Sequence, residues 1–231
     1  MKQLITLIIG FIIAGCSSMN IPPKLNTPSF EKKRQLEVEL GTSTNSLYQN
    51  MSYSITNRFA VISSGLVSYD YLFNVDYNTG GVIFEYLPNP QKAKYLDIGL
   101  GLYQNDTKLK SIFIGAGLGE SQDPYKSFFL QGNYGIKKDK MEYGVTTRLS
   151  YIYYPYTFMF KPNIEEIKEY NIFGLQPCVY FNFTNNRFVY TFNAGTYLTN
   201  YNKYSDWFVR DYPQNTLIHL SVGLKYKIGK E

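Results

Sequence analysis

The two side chains best suited to catalysis lie near the C-terminal end of the 231-residue chain. His219 and Ser221 are two residues apart, so the alternation of a β-strand places the imidazole and the hydroxyl side by side on one face. A histidine base can activate such a hydroxyl when a carboxylate orients the imidazole. No carboxylate follows on a paired strand, since Glu231 is the terminal residue. A hydroxyl that simply hydrogen-bonds to a buried His219 explains the pattern better, and we predict that the protein is not an enzyme.

The first fifteen residues predict export. Lys2 precedes an apolar run from Leu4 to Ile13 that is too short to span a bilayer, and the small residues Ala14 and Gly15 suit a cleavage site. We therefore expect residues 1–15 to be a signal peptide that is removed.

The residue after the expected cleavage site is a cysteine. Ile13-Ala14-Gly15-Cys16 resembles the lipobox of bacterial lipoproteins, which implies that Cys16 becomes the N-terminus and the site of lipid attachment. Several acyl chains hold a protein in a membrane, whereas a single chain binds only reversibly. Ser17 and Ser18 follow with no aspartate, which by similarity to envelope lipoproteins implies the outer membrane. The alternatives are an ordinary signal peptide with an incidental cysteine, or an uncleaved anchor.

Composition argues against several classes of function. The net charge is +5 and the basic residues are scattered, so nucleic acid is not an expected partner. One histidine and two cysteines provide neither a zinc-ligand set nor a disulfide framework, and we expect no metal and no other cofactor. In contrast, 23 Tyr and 16 Phe with only 18% charged residues are typical of strands and membrane interfaces.

Hydrophobic periodicity predicts an all-β domain. Residues 16–33, which contain Pro22, Pro23 and Pro28, are expected to be a flexible tether, and residues 34–231 a single domain. No convincing helix follows Arg34, since the best candidate, Asn163 to Tyr170, is two turns at most and lies in a loop. Period-two alternation between Gly and Asn clusters predicts ten strands. They are expected at 34–43, 46–55, 58–69, 94–104, 108–118, 126–136, 141–155, 170–183, 187–199 and 214–228. A further turn signal at 78–81 leaves twelve strands as an alternative, and Pro177 predicts a bulge.

The lengths of the connections predict a single antiparallel up-and-down β-barrel. Tight polar turns at 56–57, 105–106, 137–140 and 185–186 alternate with longer segments at 70–93, 119–125, 156–169 and 200–213. Every second connection of such a barrel lies on the same rim, so the tight turns share one rim and the long loops the other. An even number of strands places both termini, and therefore the tether, on the rim of the tight turns.

The residue types on the two faces of the strands predict which face is outside. In strand 94–104, Leu96 and Ile98 lie on one face, while Asp97 and Gly99 lie on the other. Small uncharged residues dominate the polar faces, as a narrow barrel interior requires, so we expect the apolar faces to contact lipid. The alternative is a tethered soluble barrel that binds a small apolar ligand inside. The charged residues of the polar faces are expected to pair in a structural network: Asp97, Glu142, Arg148, Arg187 and Lys225.

Three stretches, Tyr53 to Val61, Phe128 to Gly135 and Thr147 to Tyr151, resemble the uncharacterised lipobox-bearing outer-membrane β-barrel proteins of Bacteroidota-type bacteria. The similarity concerns strand patterns, so it implies fold and location and no activity. His219-Leu220-Ser221 also resembles the His-x-Ser element of outer-membrane lipid A deacylases, although Val222 replaces a polar residue of that element; a hydrolase is the remote alternative. We expect a structural or accessory role at the outer membrane. The expected partners are outer-membrane lipid and, through the long loops, an envelope protein complex.

Overall fold

The strands that the alternation predicts are present, and they make up most of the described chain. The computed structural model describes residues 24–43, 46–68, 71–76, 81–86, 93–105, 108–120, 124–155, 158–161, 164–167, 170–199 and 216–229. The strands are β1 Leu36–Ser43, β2 Ser46–Ser54, β3 Phe59–Ser68, β4 Tyr71–Asp76, β5 Gly81–Tyr86, β6 Lys94–Asn105, β7 Lys108–Glu120, β8 Pro124–Lys138, β9 Met141–Tyr154, β10 Phe158–Lys161, β11 Ile164–Ile167, β12 Tyr170–Asn185, β13 Phe188–Thr199 and β14 Thr216–Ile228. Within these ranges there is no helix that could cross a membrane. The predicted signal peptide and Cys16 lie outside the described residues.

Ten of the strands close into an antiparallel barrel in the order β1-β14-β13-β12-β9-β8-β7-β6-β3-β2. Consecutive barrel strands pair with each other, which is the up-and-down topology. The barrel closes where β1 pairs with β14, with Leu36 opposite Ile228 and Ser43 opposite Ser221. The predicted all-β fold and its ten strands are confirmed.

The other four strands form two separate hairpins, β4–β5 and β10–β11. The first hairpin accounts for the turn signal at 78–81, so twelve barrel strands is the wrong alternative. The second lies in the long loop that contains the weak helix candidate at Asn163 to Tyr170, where Ile164–Ile167 is a strand paired with Phe158–Lys161. A two-turn helix is too short to be stable alone, whereas pairing gives this backbone hydrogen-bond partners.

The tight turns share one rim as predicted, but the other rim carries two short connections, β1–β2 and β7–β8, beside its long ones, so 119–125 is shorter than expected. The short-turn rim carries the turns between β2 and β3, β6 and β7, β8 and β9, and β12 and β13, together with Leu36 and Ile228. The long-loop rim carries the connections that contain both hairpins and the connection 200–215. Asp139 and Asn186 have positive φ angles of 52° and 57° in the tight turns, a conformation that short polar side chains tolerate.

Inward tyrosines occupy space that glycines leave free. A Cβ atom on Gly119 or Gly174 would overlap the ring of Tyr125 or Tyr197 on the adjacent strand. These two rings therefore fit the narrow interior because the neighbouring strand has no side chain at that position. This packing accounts for part of the enrichment in tyrosine.

Pro177 does not produce the predicted bulge. Leu175 pairs with Leu198 and Cys178 pairs with Gly195, so the same number of residues separates the two pairs on both strands. The ladder with β13 is interrupted at Pro177 without an extra residue, because proline lacks one N–H donor but leaves the register unchanged.

The outer surface of the barrel is apolar. In the centre of three neighbouring strands, Ile114, Leu130 and Leu149 lie side by side and are 68%, 43% and 52% exposed. The expected apolar face of β6 is likewise exposed, whereas Asp97 between its residues is buried. Every barrel strand contributes at least one exposed large hydrophobic residue. The predicted orientation of the faces is therefore correct.

Candidate functional site

The lumen of the barrel contains a segment of the chain that precedes the first strand. Residues 24–30 run inside the barrel, and Lys24, Asn26 and Phe30 are at most 1% exposed. The expectation of a flexible tether over 16–33 is corrected for these residues, since all of them except the half-buried Pro28 are buried. We call residues 24–30 the luminal segment.

Lys24 anchors the luminal segment through an ion pair. Its ammonium group donates to the carboxylate of Glu39, to the hydroxyl of Tyr48 at 2.8 Å and to the hydroxyl of Thr191 at 2.9 Å. Because β1 alternates, Glu37 and Glu39 both point inward, and both are about 1% exposed. A buried carboxylate needs a cation, and Lys24 supplies one for Glu39.

A second buried lysine joins the luminal segment to the last strand. Lys225 Nζ lies 3.4 Å from Glu37 Oε2 and donates a hydrogen bond of 2.7 Å to the carbonyl of Thr27. Glu37 also accepts a 3.1 Å hydrogen bond from the backbone N–H of Ser29. The two glutamates of β1 therefore bind the luminal segment at both its ends.

Asn26 and Phe30 bind the luminal segment to β2 and β6. The Asn26 amide donates to the carbonyl of Met51 at 2.9 Å, and its oxygen accepts from the Ser52 hydroxyl at 3.0 Å. The ring of Phe30 packs 4.9 Å from that of Tyr103 within a buried apolar cluster. With polar and apolar contacts on several strands, this segment fills the half of the lumen nearest the short-turn rim.

The predicted network of charged residues forms around Arg148. Its guanidinium donates to Asp97 at 2.6 Å and to Gln131 Oε1 at 2.8 and 3.1 Å, and it lies 4.0 Å from the ring centre of Phe129. Arg148 and Asp97 are no more than 1% exposed on their side chains. Four strands are thus connected across the lumen, because Asp97 also accepts from the backbone N–H of Ser64.

The other charged candidates have different surroundings. Glu142 is buried and accepts a 3.3 Å hydrogen bond from Asn182, whereas Arg187 is exposed in the turn before β13. Arg187 therefore belongs to the short-turn rim, which corrects its expected place on a luminal face. Cys178 is a free, buried thiol that fills space on β12.

At the short-turn rim, Glu31 interacts with two lysines. Its carboxylate lies 2.7 Å from Lys137 Nζ and 3.3 Å from Lys227 Nζ, and about half of the Glu31 side chain is exposed. The hydrogen bond from Lys137 holds the pKa of Glu31 below its ordinary value. These two ion pairs therefore hold the chain at the short-turn rim, directly after the luminal segment.

The structure does not assemble the candidate catalytic pair. His219 and Ser221 both point into the lumen and are 2% and 5% exposed, as predicted from the alternation. However, both imidazole nitrogens and the hydroxyl oxygen lack hydrogen-bond partners among the described residues, so the serine is not bonded to the histidine. Within the described ranges, no carboxylate orients His219, and no group of histidine, cysteine and acidic side chains is placed to hold a metal ion.

Comparison with known proteins adds no function to this site. No protein-family model matches the chain, and a search of curated proteins found no match. A function can therefore be inferred only from the apolar exterior of the barrel and from the residues that occupy its lumen.

The luminal segment is the part of the site that sequence patterns did not reveal. Two signals for it exist in the sequence. Leu25 and Phe30 are large apolar residues that a solvated tether does not need, and Glu37 and Glu39 are inward charges that require cations.

Proposed function

We propose that the chain is a lipid-anchored β-barrel protein of the bacterial outer membrane with a structural or accessory role. The observation that supports this is the apolar surface around the barrel, opposite a lumen of paired charges and polar side chains. Water-soluble monomers rarely expose continuous apolar patches of more than a few hundred Å², whereas lipid requires such a surface.

The height of the apolar surface fits a bilayer. On β12, Phe173, Val179 and Phe183 are exposed, and 183 − 173 = 10 residues separate the first from the last. At about 3.4 Å per residue and a tilt of about 40°, this stretch spans about 26 Å along the barrel axis. Outer-membrane barrels carry an apolar band of about 25 Å, flanked by aromatic residues.

Exposed aromatic residues lie towards both ends of this surface. The group nearer the short-turn rim includes Tyr53, Phe59, Tyr134, Tyr143, Phe181, Phe183, Phe188 and Tyr190. Phe128 and Phe173 lie nearer the long-loop rim. Aromatic residues flank the apolar band of outer-membrane barrels at both interfaces, so these positions support an embedded barrel.

The filled lumen supports an accessory role over transport. The luminal segment and the Arg148 network bridge the interior, and ten strands enclose far less space than the sixteen or more of open porins. The long-loop rim carries both hairpins, β4–β5 and β10–β11, and we propose this rim as the surface that contacts an envelope complex.

The soluble alternative fits these observations less well. A barrel that binds an apolar ligand inside needs an apolar lumen and a polar exterior, and the described residues show the opposite arrangement on most strands.

Membrane extraction tests the proposal. A Cys16→Ala variant with a conventional signal peptide should lose acylation, measured by incorporation of labelled palmitate. It should nevertheless stay in the membrane fraction through alkaline washing, because the barrel itself is embedded. Release of this variant into the soluble fraction would contradict embedding, and a wild-type protein that takes up no palmitate would contradict the lipid anchor. Affinity purification of the intact protein that recovers no envelope protein would contradict the accessory role.

A further inference from the structure

Basic residues that are far apart in the sequence meet at the short-turn rim of the barrel. Each of the four tight turns of this rim carries at least one: Arg58 before β3, Lys108 at the start of β7, Lys140 before β9 and Arg187 before β13. Residues 32–34, which precede β1 at the same rim, are all basic. All of these side chains are exposed.

The parts of the sequence that form the two rims differ in the sign of their charge. The turns and strand ends of the short-turn rim contain eleven basic and three acidic residues, a net charge of 11 − 3 = +8, in 31–34, 55–58, 106–110, 137–140, 186–187 and 227–229. The corresponding parts of the long-loop rim contain seven basic and ten acidic residues, a net charge of 7 − 10 = −3, in 44–45, 69–94, 119–126, 156–169 and 200–215. The net charge of the whole chain is +5, so its positive charge is concentrated at one rim.

Most cations of the short-turn rim have no acidic partner. Lys137 and Lys227 share Glu31. Among the residues that the structure describes, no ion pair and no side-chain hydrogen bond involves residues 32–34, Arg58, Lys108, Lys110, Lys138 or Lys140. Like charges at this density repel one another unless anions neutralise them, so the rim is suited to an anionic partner.

Three of these lysines point outward from neighbouring strands. On β7, Leu109 is buried, and Lys108 and Lys110 on either side of it are exposed. Lys138 is exposed at the end of β8, two residues after Ile136, which pairs with Lys108. Residues diagonally opposite in this way lie about 7–8 Å apart, and residues two apart on one strand lie about 7 Å apart. The three long side chains can therefore converge on one anion.

The same lysines border the aromatic edge of the apolar surface. Lys110 pairs with Tyr134, which is 44% exposed, and Tyr143, which is 45% exposed, pairs with Ile136 on the next strand. On β7 the outward positions are apolar from residue 112 to residue 118, and Lys110 follows them at the short-turn side. The alkyl part of a lysine lies along apolar surface while its ammonium group stays in the polar layer. In an embedded barrel these ammonium groups are therefore at the height of the lipid headgroups.

We propose that Lys108, Lys110 and Lys138, with the hydroxyls of Tyr134 and Tyr143 beside them, bind the phosphate of an anionic glycerophospholipid. The remaining cations of the rim attract such lipids to it. The position of this site at headgroup height rests on the proposed function, because it requires an embedded barrel. The short turns of outer-membrane barrels face the periplasm, so the lipid belongs to the periplasmic leaflet.

The direction of the three side chains favours a lipid over a macromolecule. A nucleic acid or an acidic protein approaching from the periplasm would meet the turns at the end of the barrel. Lys108, Lys110 and Lys138 lie on the outer face instead, beside exposed apolar residues such as Ile136. A ligand at this position must combine an anionic group with apolar chains, as a phospholipid does.

Native mass spectrometry of the purified, full-length protein in non-ionic detergent tests the site. Phosphatidylglycerol is titrated against phosphatidylcholine, which also contains a phosphate but has no net charge. Each basic residue close to an anionic lipid surface strengthens binding about fivefold. The wild type should therefore retain phosphatidylglycerol at least about tenfold more tightly than phosphatidylcholine, and equal retention of the two lipids would overturn the proposal.

Two triple variants separate the outward lysines from the charge of the rim. Lys108→Gln with Lys110→Gln and Lys138→Gln should lower the preference for phosphatidylglycerol to about twofold or less. The matched control changes three other exposed lysines of the rim, Lys32, Lys33 and Lys140, to glutamine; it loses the same charge and should keep most of the preference. Far-ultraviolet circular dichroism checks that both variants fold. An equal loss in the two variants would show that only net charge matters and would overturn the site.

Other anionic partners give different results. Tighter binding of diphosphorylated lipid A, lost in the Lys108 triple variant, would assign the site to the outer leaflet and contradict a periplasmic lipid. Unchanged lipid retention in that variant, together with the loss of a co-purified acidic protein, would assign the lysines to a protein partner and contradict the lipid site.

Alkaline extraction of membranes that contain the same proteins tests the proposed function separately. A wild-type protein that is released but still prefers phosphatidylglycerol would refute embedding and leave the phosphate site in place. An embedded wild-type protein without this preference would refute the phosphate site alone.

Discussion

Replacing Arg148 by methionine tests whether the luminal network stabilises the barrel. The side chain makes one hydrogen bond to Asp97 at 2.6 Å and two to Gln131 at 2.8 and 3.1 Å. Methionine keeps much of the packing against Phe129 but leaves the Asp97 carboxylate buried without its cation. Removing one partner of a buried ion pair costs about 3–5 kcal/mol, and we expect Arg148→Met to lower the free energy of unfolding by about this amount.

Lys137→Met is the matched control. Lys137 also forms an ion pair, with Glu31 at 2.7 Å, but the two side chains are 28% and 51% exposed. An exposed pair contributes about 0–1 kcal/mol, so this variant should differ little from the wild type. The assay is equilibrium unfolding in urea of the barrel refolded into lipid, followed by far-ultraviolet circular dichroism.

A second substitution, at Asp97, separates two causes of the lost stability: the hydrogen bonds that Arg148 no longer makes, and the buried carboxylate that no longer has a cation. Asp97→Asn removes the charge, so the double variant should be more stable than the sum of the two single effects predicts, by about 1–3 kcal/mol. If Arg148→Met costs no more than Lys137→Met, or if the two single effects add, the buried pair does not stabilise the barrel as described.

Three further predictions concern packing, the exterior and pH. Gly174→Ala should destabilise the barrel by about 1–3 kcal/mol, because the added Cβ would overlap a tyrosine ring. Gly132→Ala is the control: a Cβ at Gly132 meets open space, so this variant should be as stable as the wild type or slightly more stable. The same urea assay compares the two variants. Leu130→Arg should cost about 2–4 kcal/mol in lipid if the outer surface faces the bilayer, and equal stability of this variant and the wild type in lipid would contradict embedding. The lowered pKa of Glu31 means that its stabilising contribution is present above its ordinary value of 4.5 and is lost as the pH falls through the lowered one. The small advantage of the wild type over Glu31→Gln, under about 1 kcal/mol for this half-exposed pair, should therefore shrink in unfolding measured at acidic pH, and an advantage that grows would refute the pairing.

The strand pattern was predictable because it is local. Leu96 and Ile98 alternate with Asp97 within one strand, and neither partner strands nor register are needed to assign their faces. The tight turns and long loops are local too, and their alternation was sufficient to predict the up-and-down barrel. The hairpin of Phe158–Lys161 with Ile164–Ile167 was not predicted, because residues 163–170 were assigned only to a loop and pairing with another segment decides their conformation.

The candidate site depended on contacts between distant parts of the chain. The sequence determined that His219, Ser221 and Arg148 face the lumen, since each lies at an inward position of its strand. Only the tertiary structure decided that Lys24 lies inside the barrel. It pairs with Glu39, fifteen residues away, and hydrogen-bonds to Thr191, which is 167 residues away. Strand periodicity assigns a face, but only closure of the barrel brings these strands around one lumen, where buried carboxylates require a cation that the segment before β1 provides.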